Sequence, residues 1–214
     1  MVYTIWRVLV WPWYRLWLRK VDGIENVPND IPFIIAANHS SYYDALLLHG
    51  IIALKIEKKI HAFVNSWYWK IPVIKIVLNS GECIPVYVGK EKNAKHKNKQ
   101  ALEKAIGYFK KGEIVMIFPE GTRSDGKLKK AYTGIARLAL ESKAPVLPVG
   151  IIDSNKVLPK GKFFPRFVRC EVKFGKLMYF ERYYNKKPND RILEEVTRSI
   201  MEKIANLTNQ KYNY

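Results

Sequence analysis

His39 and Asp44 are the side chains of this 214-residue chain whose types and spacing suit acid–base chemistry. They frame Asn38-His39-Ser40-Ser41-Tyr42-Tyr43-Asp44, directly after the apolar run 33–37. A carboxylate hydrogen-bonded to one imidazole nitrogen fixes the tautomer and stabilises the imidazolium formed on proton uptake. The other nitrogen is then free to act as general base. Five residues apart, the two side chains would be misaligned on one continuous helix, whereas a loop-to-helix junction lets the carboxylate fold back to the ring. No serine or cysteine occupies a GxSxG context. The expected nucleophile is therefore a hydroxyl of the substrate, giving direct transfer with no covalent enzyme intermediate. Taken alone, the spacing also fits a helix-capping pair, Ser41 with Asp44 three residues on, beside an incidental histidine.

A second group is Phe118-Pro119-Glu120-Gly121-Thr122-Arg123-Ser124, again at the end of an apolar run, 113–118. Arg123 offers a planar fork for two-point phosphate binding. Gly121 permits tight backbone geometry and close ligand approach. Thr122 and Ser124 add hydroxyl donors, and Glu120 is expected to position Arg123 or a substrate hydroxyl. An ordinary polar turn has the same composition, so this segment too gains weight from the other.

Runs that read as strands (32–37, 61–64, 82–88, 113–118, 145–152, 166–174) alternate with helical patterns (41–56, a stretch to 78, 100–111, 128–142, 190–207). Gly112 is placed to end the third of these helices. The alternation predicts an α/β fold: one domain, a largely parallel mixed sheet flanked by helices. Strand-ending motifs then lie at the C-terminal edge of the sheet, where such folds form clefts.

The 37 Lys+Arg exceed the 19 Asp+Glu by 18 charges, which favours an anionic partner. Nucleic acid is disfavoured, because the basic stretch 90–99 carries no aromatic residue for base stacking. Cys83 and Cys170 form no CxxC pair and fit a reducing compartment. The four histidines show no HExxH spacing, and no metal site is expected. His49 and His61 adjoin apolar runs and read as structural. At the N-terminus, Trp6, Trp11, Trp13, Tyr14 and Trp17 are interleaved with Arg7, Arg15, Arg19 and Lys20. Arg7, Pro12 and Arg15 break any run long enough to span a bilayer. Residues 1–20 are therefore expected to form an interfacial helix anchoring a domain of residues 21–214.

Together, Asn38-His39-x4-Asp44 and Phe118-Pro119-Glu120-Gly121-Thr122-Arg123-Ser124 resemble the glycerolipid acyltransferases typified by 1-acyl-sn-glycerol-3-phosphate acyltransferase. Gly23-Ile24-Glu25-Asn26-Val27-Pro28, the segment 134–139 and Pro145-Val146-Leu147-Pro148-Val149 extend the resemblance over roughly residues 20–152. It implies His39 as base, Asp44 as its orienting acid, and Glu120, Gly121, Thr122 and Arg123 in acceptor binding. It further implies an acyl-coenzyme A or acyl-carrier-protein thioester as donor, a lysophospholipid as acceptor, and no metal or cofactor. With the aromatic and basic N-terminal segment and the lone cysteines, the expected location is the cytoplasmic face of the membrane, peripheral or monotopic. One feature departs from the family pattern. The glycine-led strand that usually ends in a second phosphate-binding arginine reads Gly81-Glu82-Cys83-Ile84-Pro85-Val86-Tyr87-Val88, leaving Lys90 as the nearest cation. That leaves another lysophospholipid, or a different hydroxyl or amine, open as acceptor. A silent membrane-binding module is the non-catalytic alternative.

Overall fold

A computed structural model describes residues 16–88, 91, 93–159, 161–162 and 164–214. The strands are β1 (Leu18–Asp22), β2 (Ile34–Ala37), β3 (Ile60–Asn65), β4 (Ile84–Val86), β5 (Ile114–Ile117), β6 (Val146–Ile152) and β7 (Cys170–Phe174). The helices are α1 (Tyr43–Lys55), α2 (Pro72–Ser80), α3 (Ala94–Lys110), α4 (Gly134–Ser142), α5 (Ser154–Val157) and α6 (Asp190–Leu207). The strands form one seven-stranded sheet in the order β1-β7-β6-β2-β5-β3-β4. β6, β2, β5, β3 and β4 run parallel, and β7 turns antiparallel to β6 with β1 parallel beside it.

β2 shows why the central strands read as unbroken apolar runs. Ile34 and Ala36 pack into one core with residues of α3, α4 and α6, while Phe33, Ile35 and Ala37 pack on the other side with residues of α1. A parallel strand covered on both faces has no polar side to show. The helices close these faces with single stripes. In α6, Leu193, Val196, Thr197, Ile200, Met201, Ile204 and Ala205 are buried at helical spacing, and each large side chain contributes about 1.5–3 kcal/mol by leaving water.

The helix expected over 128–142 forms only from Gly134. Upstream, backbone N–H groups have other partners: Leu128 donates to Gln210 Oε1, Lys129 to Glu120 Oε2, Ala131 to the Tyr212 hydroxyl and Tyr132 to the Pro119 carbonyl. Tertiary partners outcompete local propensity here. The strand expected over 166–174 shortens to β7, and that over 82–88 to β4, whose approach contains Glu82 at φ 49°. Asp153 and Glu171, which have no evident partner in the sequence, bind Lys156 at 2.9 Å and Arg19 at 2.8 Å. Of the expected N-terminal anchor, residues 1–15 lie outside the described residues, while 18–20 belong to β1 and pair with β7. No described helix is long and apolar enough to cross a membrane.

Candidate active site

β2 and β5 are sheet neighbours, so their C-terminal ends deliver the two motifs to the same edge. Asn38, the first residue past β2, is fixed by a two-way clasp. Its Nδ2 donates to the Ile151 carbonyl at 2.8 Å, and its Oδ1 accepts the Ile151 N–H at 2.7 Å. A buried side-chain amide thus continues the ladder to β6 after the β2 backbone has turned away, which satisfies groups that would be costly to leave unpaired.

That turn brings His39 and Asp44 together. His39 Nδ1 lies 2.9 Å from Asp44 Oδ2, and the same oxygen accepts the N–H groups of Ser40 at 2.7 Å and Ser41 at 2.8 Å. Asp44 stands in the first turn of α1 and is fully buried. Three contacts on one oxygen, at the N-terminal end of the helix, hold its side chain in place. The helix starts at Tyr43, two residues later than the Ser41 start expected, and Tyr42 at its N-cap makes no side-chain capping bond. The carboxylate of Asp44 instead takes up the preceding N–H groups. With Nδ1 engaged, Nε2 is the nitrogen left for a substrate proton. Phe118 stacks on the His39 ring at 4.1 Å between centroids and 19° between planes, so the imidazole is held in orientation as well as tautomer.

Glu120 has a different position from the one its sequence context suggests. Its side chain is buried, with Oε1 accepting the His39 N–H at 2.9 Å and Oε2 the Lys129 N–H at 2.8 Å. Both oxygens face protein backbone. Burial pushes its pKa up to about 7 against the pull of the two N–H donors and Lys129, with the negative charge of Asp44 adding to the rise. The Ser124 N–H closes the connection between motifs by donating to the His39 carbonyl at 2.8 Å.

Gly121 and Thr122 are exposed on the loop that follows β5. Gly121 sits at φ 65°, which favours glycine, and a Cβ there would approach Tyr132 Cε2 to 2.8 Å, so any side chain would have to displace that exposed ring. Arg123 lies flat on Tyr42, its guanidinium carbon 3.3 Å from the ring centroid, and its carbonyl accepts Lys129 Nζ at 2.9 Å. Tyr68 meets Tyr42 edge-on, at 84° between planes, with its hydroxyl donating to that of Tyr42 at 3.1 Å. Arg123 Nη1 is buried with no hydrogen-bond partner among the described residues. A stacked guanidinium with a free buried donor is arranged to accept an anionic oxygen edge-on.

Lys90 lies outside the described residues. The strand end before it is held by Asn98 of α3, which accepts the Tyr87 N–H at 2.9 Å and donates to the Tyr87 carbonyl at 2.8 Å. Phe118, Tyr42 and Lys129 carry functions that the sequence reading did not assign. The first two were visible as aromatic positions inside the motifs, whereas nothing in the sequence links Lys129 to Glu120 or Arg123. His61 is remote from this edge, near the N-terminal end of the sheet. It is buried against Glu113 at 2.9 Å and stacked on Tyr108 at 3.5 Å, a structural histidine as expected.

The family described as Acyltransferase matches residues 19–152. A 1-acyl-sn-glycerol-3-phosphate acyltransferase of Bacillus subtilis is 32% identical over 151 residues, covering 67% of this chain and 68% of the relative. A chloroplastic enzyme of the same name from Arabidopsis thaliana is 26% identical over 156 residues, 72% of this chain and 40% of the relative, so the chain spans about two fifths of that protein's length. Among solved structures, the 1-acyl-sn-glycerophosphate (LPA) acyltransferase PlsC of Thermotoga maritima superposes with a TM-score of 0.72 at 25% identity, covering 100% of this chain and 82% of that one. The matched segment contains both motifs and the strands that bring them together, and on that ground the chain belongs to the acyltransferase family.

Proposed function

We propose that this chain transfers a fatty acyl group from an acyl-coenzyme A or acyl-carrier-protein thioester to the hydroxyl of 1-acyl-glycerol-3-phosphate at a membrane surface, forming phosphatidic acid. The observation that carries the reading is the joining of the two motifs: His39 donates its N–H to Glu120 and accepts one from Ser124. These bonds set an oriented general base beside a loop that presents a stacked arginine.

In the proposed step, neutral His39 takes the acceptor's hydroxyl proton on Nε2 as the oxygen attacks the thioester carbonyl carbon. The new C–O bond forms, the C–S bond breaks, and the imidazolium returns its proton to the leaving thiolate, with Asp44 stabilising the transient cation. Arg123 binds the acceptor phosphate, Thr122 supplies a hydroxyl at the cleft edge, and Gly121 lets the acceptor approach the backbone. Glu120 acts from behind, holding His39 and the loop in register. Lys90 is a candidate second cation for the phosphate. The step requires no metal or cofactor. The excess of basic residues and the two free cysteines support a peripheral site on the cytoplasmic membrane face.

The absence of an arginine at Tyr87-Val88 favours a second reading, in which the acceptor is another lysophospholipid or a hydroxyl or amine without phosphate. Thiol release from a long-chain acyl thioester, with vesicles and a panel of lysophosphatidic acid, glycerol phosphate and other lysophospholipids, decides between them. Release that needs lysophosphatidic acid and vanishes in His39→Ala supports the first reading. Release that prefers another acceptor supports the second, and release with no acceptor indicates a thioesterase and overturns both.

A further inference from the structure

The helix α2 is apolar on more sides than the fold covers. At 100° per residue, Ile74 and Leu78 turn inward and are half-buried, while Val73, Ile76 and Val77 share the outer face. Those three are 73%, 70% and 61% exposed, and no residue of the helix is fully buried. Lys75 and Asn79 give the helix a polar flank, and the exposed aliphatic face beside it is the kind of patch that marks a contact surface. Trp67 is exposed on the preceding turn, and Trp69 Nε1 staples that turn to α2 through Asn79 Oδ1 at 2.9 Å. Lys70 is exposed at the end of that turn, while Lys75 is exposed on the flank of α2 turned away from Val73 and Val77. Through Tyr68, whose hydroxyl reaches Tyr42, the turn touches the ring on which Arg123 lies, and Tyr42 and Leu46 are exposed there.

We propose that α2 and the turn before it, residues 66–80, form a bilayer-docking face that receives an anionic phospholipid surface and sets the mouth of the active site against it. The patch is small beside the about 1,200–2,000 Å² that a stable protein interface buries. A bilayer asks for less: a shallow apolar wedge, an interfacial tryptophan and a cation at the rim to meet lipid phosphate. All three are present, and the face leads to the arginine assigned to the acceptor's phosphate. An acceptor lipid would thus move laterally from the leaflet to Arg123 without crossing water. This inference rests on the lipid-acceptor reading above and names the surface through which that lipid arrives.

The test is co-sedimentation of the full chain with vesicles of phosphatidylcholine and phosphatidylglycerol, run beside transfer assays. Val73→Ser/Ile76→Ser/Val77→Ser alters only exposed side chains. The expected result is a fall of about tenfold or more in vesicle partitioning, a parallel fall in transfer to a vesicle-embedded acceptor, and unchanged transfer to a short-chain acceptor dissolved as monomers. Lys70→Glu should weaken binding to the phosphatidylglycerol vesicles and leave binding to phosphatidylcholine alone unaltered. Unchanged partitioning of the folded triple variant overturns the proposal. So does a parent chain that elutes as an oligomer which the triple variant dissociates, since the face would then join copies of the chain. Partitioning that depends on this face with no thiol release from any acceptor would sink the acyl-transfer reading and leave the docking face standing.

Discussion

Glu120 Oε1 accepts the backbone N–H of His39 at 2.9 Å, so a buried carboxylate from the second motif holds the proposed base of the first by its main chain. Its other oxygen holds Lys129 N–H. Glu120→Gln replaces one acceptor oxygen with an NH₂ group facing a buried donor, and the expected loss is about 1–3 kcal/mol of stability. The wild-type pH dependence follows from the raised pKa. The folded value of about 7 exceeds the ordinary 4.5, so the native state holds a proton that the unfolded chain has released. The stability this contributes is full below the unfolded value and is lost as pH rises through about 7. Thermal unfolding followed across that window should show a decline that Glu120→Gln flattens; equal slopes in the two proteins would mean that Glu120 does not titrate there.

His39→Ala removes the proposed base and should lower kcat by about 10²–10⁴-fold at unchanged fold. Asp44→Ala costs activity by misorienting the ring, but it also strips the buried N–H groups of Ser40 and Ser41 of their common acceptor. It should therefore lose stability as well, by about 1–3 kcal/mol. Far-UV circular dichroism melts separate the two effects: a His39→Ala variant as unstable as Asp44→Ala would contradict the assignment of His39 to chemistry alone.

Arg123 and Tyr42 form a unit, so truncating the ring should damage acceptor binding without touching the thioester. Tyr42→Ala is expected to raise KM for a phosphate-bearing acceptor by about tenfold, in line with about 1–2 kcal/mol for a partly desolvated cation–π contact. Tyr42→Phe keeps the π face and should retain most of the affinity. Arg123→Lys keeps the charge but loses the planar fork, and should behave more like Arg123→Ala than like wild type. KM and kcat measured separately, with a phosphate-free acceptor alongside, check this: equal losses on both acceptors would remove the phosphate from Arg123's role.

The sequence disclosed the parts of this molecule that depend on period and on punctuation. β2 and β5 are unbroken apolar runs because helices cover both faces, and α6 carries a buried stripe at helical spacing; both patterns are local. His39 and Asp44 were legible for a similar reason, since a short turn suffices to join them. What was not legible depends on partners distant in sequence. Glu120 reads as a partner for Arg123 or for substrate in the string Pro119-Glu120-Gly121-Thr122-Arg123, and only the folded chain shows both its oxygens taken by the backbone N–H groups of His39 and Lys129. The segment 128–133 has helix-forming residues, yet Gln210 and Tyr212, some 80 positions away, take its N–H groups. The outward face of α2 was hidden because an apolar run says nothing about which of its sides the fold will cover.

Gly121 offers a test of the loop that presents Arg123. An alanine there must adopt φ 65° and bring its Cβ to 2.8 Å from Tyr132 Cε2. The backbone penalty is about 1–2 kcal/mol, and the steric part depends on whether the exposed Tyr132 ring can swing away. Gly121→Ala should therefore reduce kcat/KM by shifting Arg123 relative to His39, with a smaller effect on melting temperature. Tyr132→Ala in the same chain removes the clash and leaves the φ penalty, so the double variant should recover part of the loss. Full recovery would assign the glycine to space alone, and no recovery would assign it to backbone conformation; an intermediate value apportions the two, because a double-mutant cycle between touching residues reads their coupling directly.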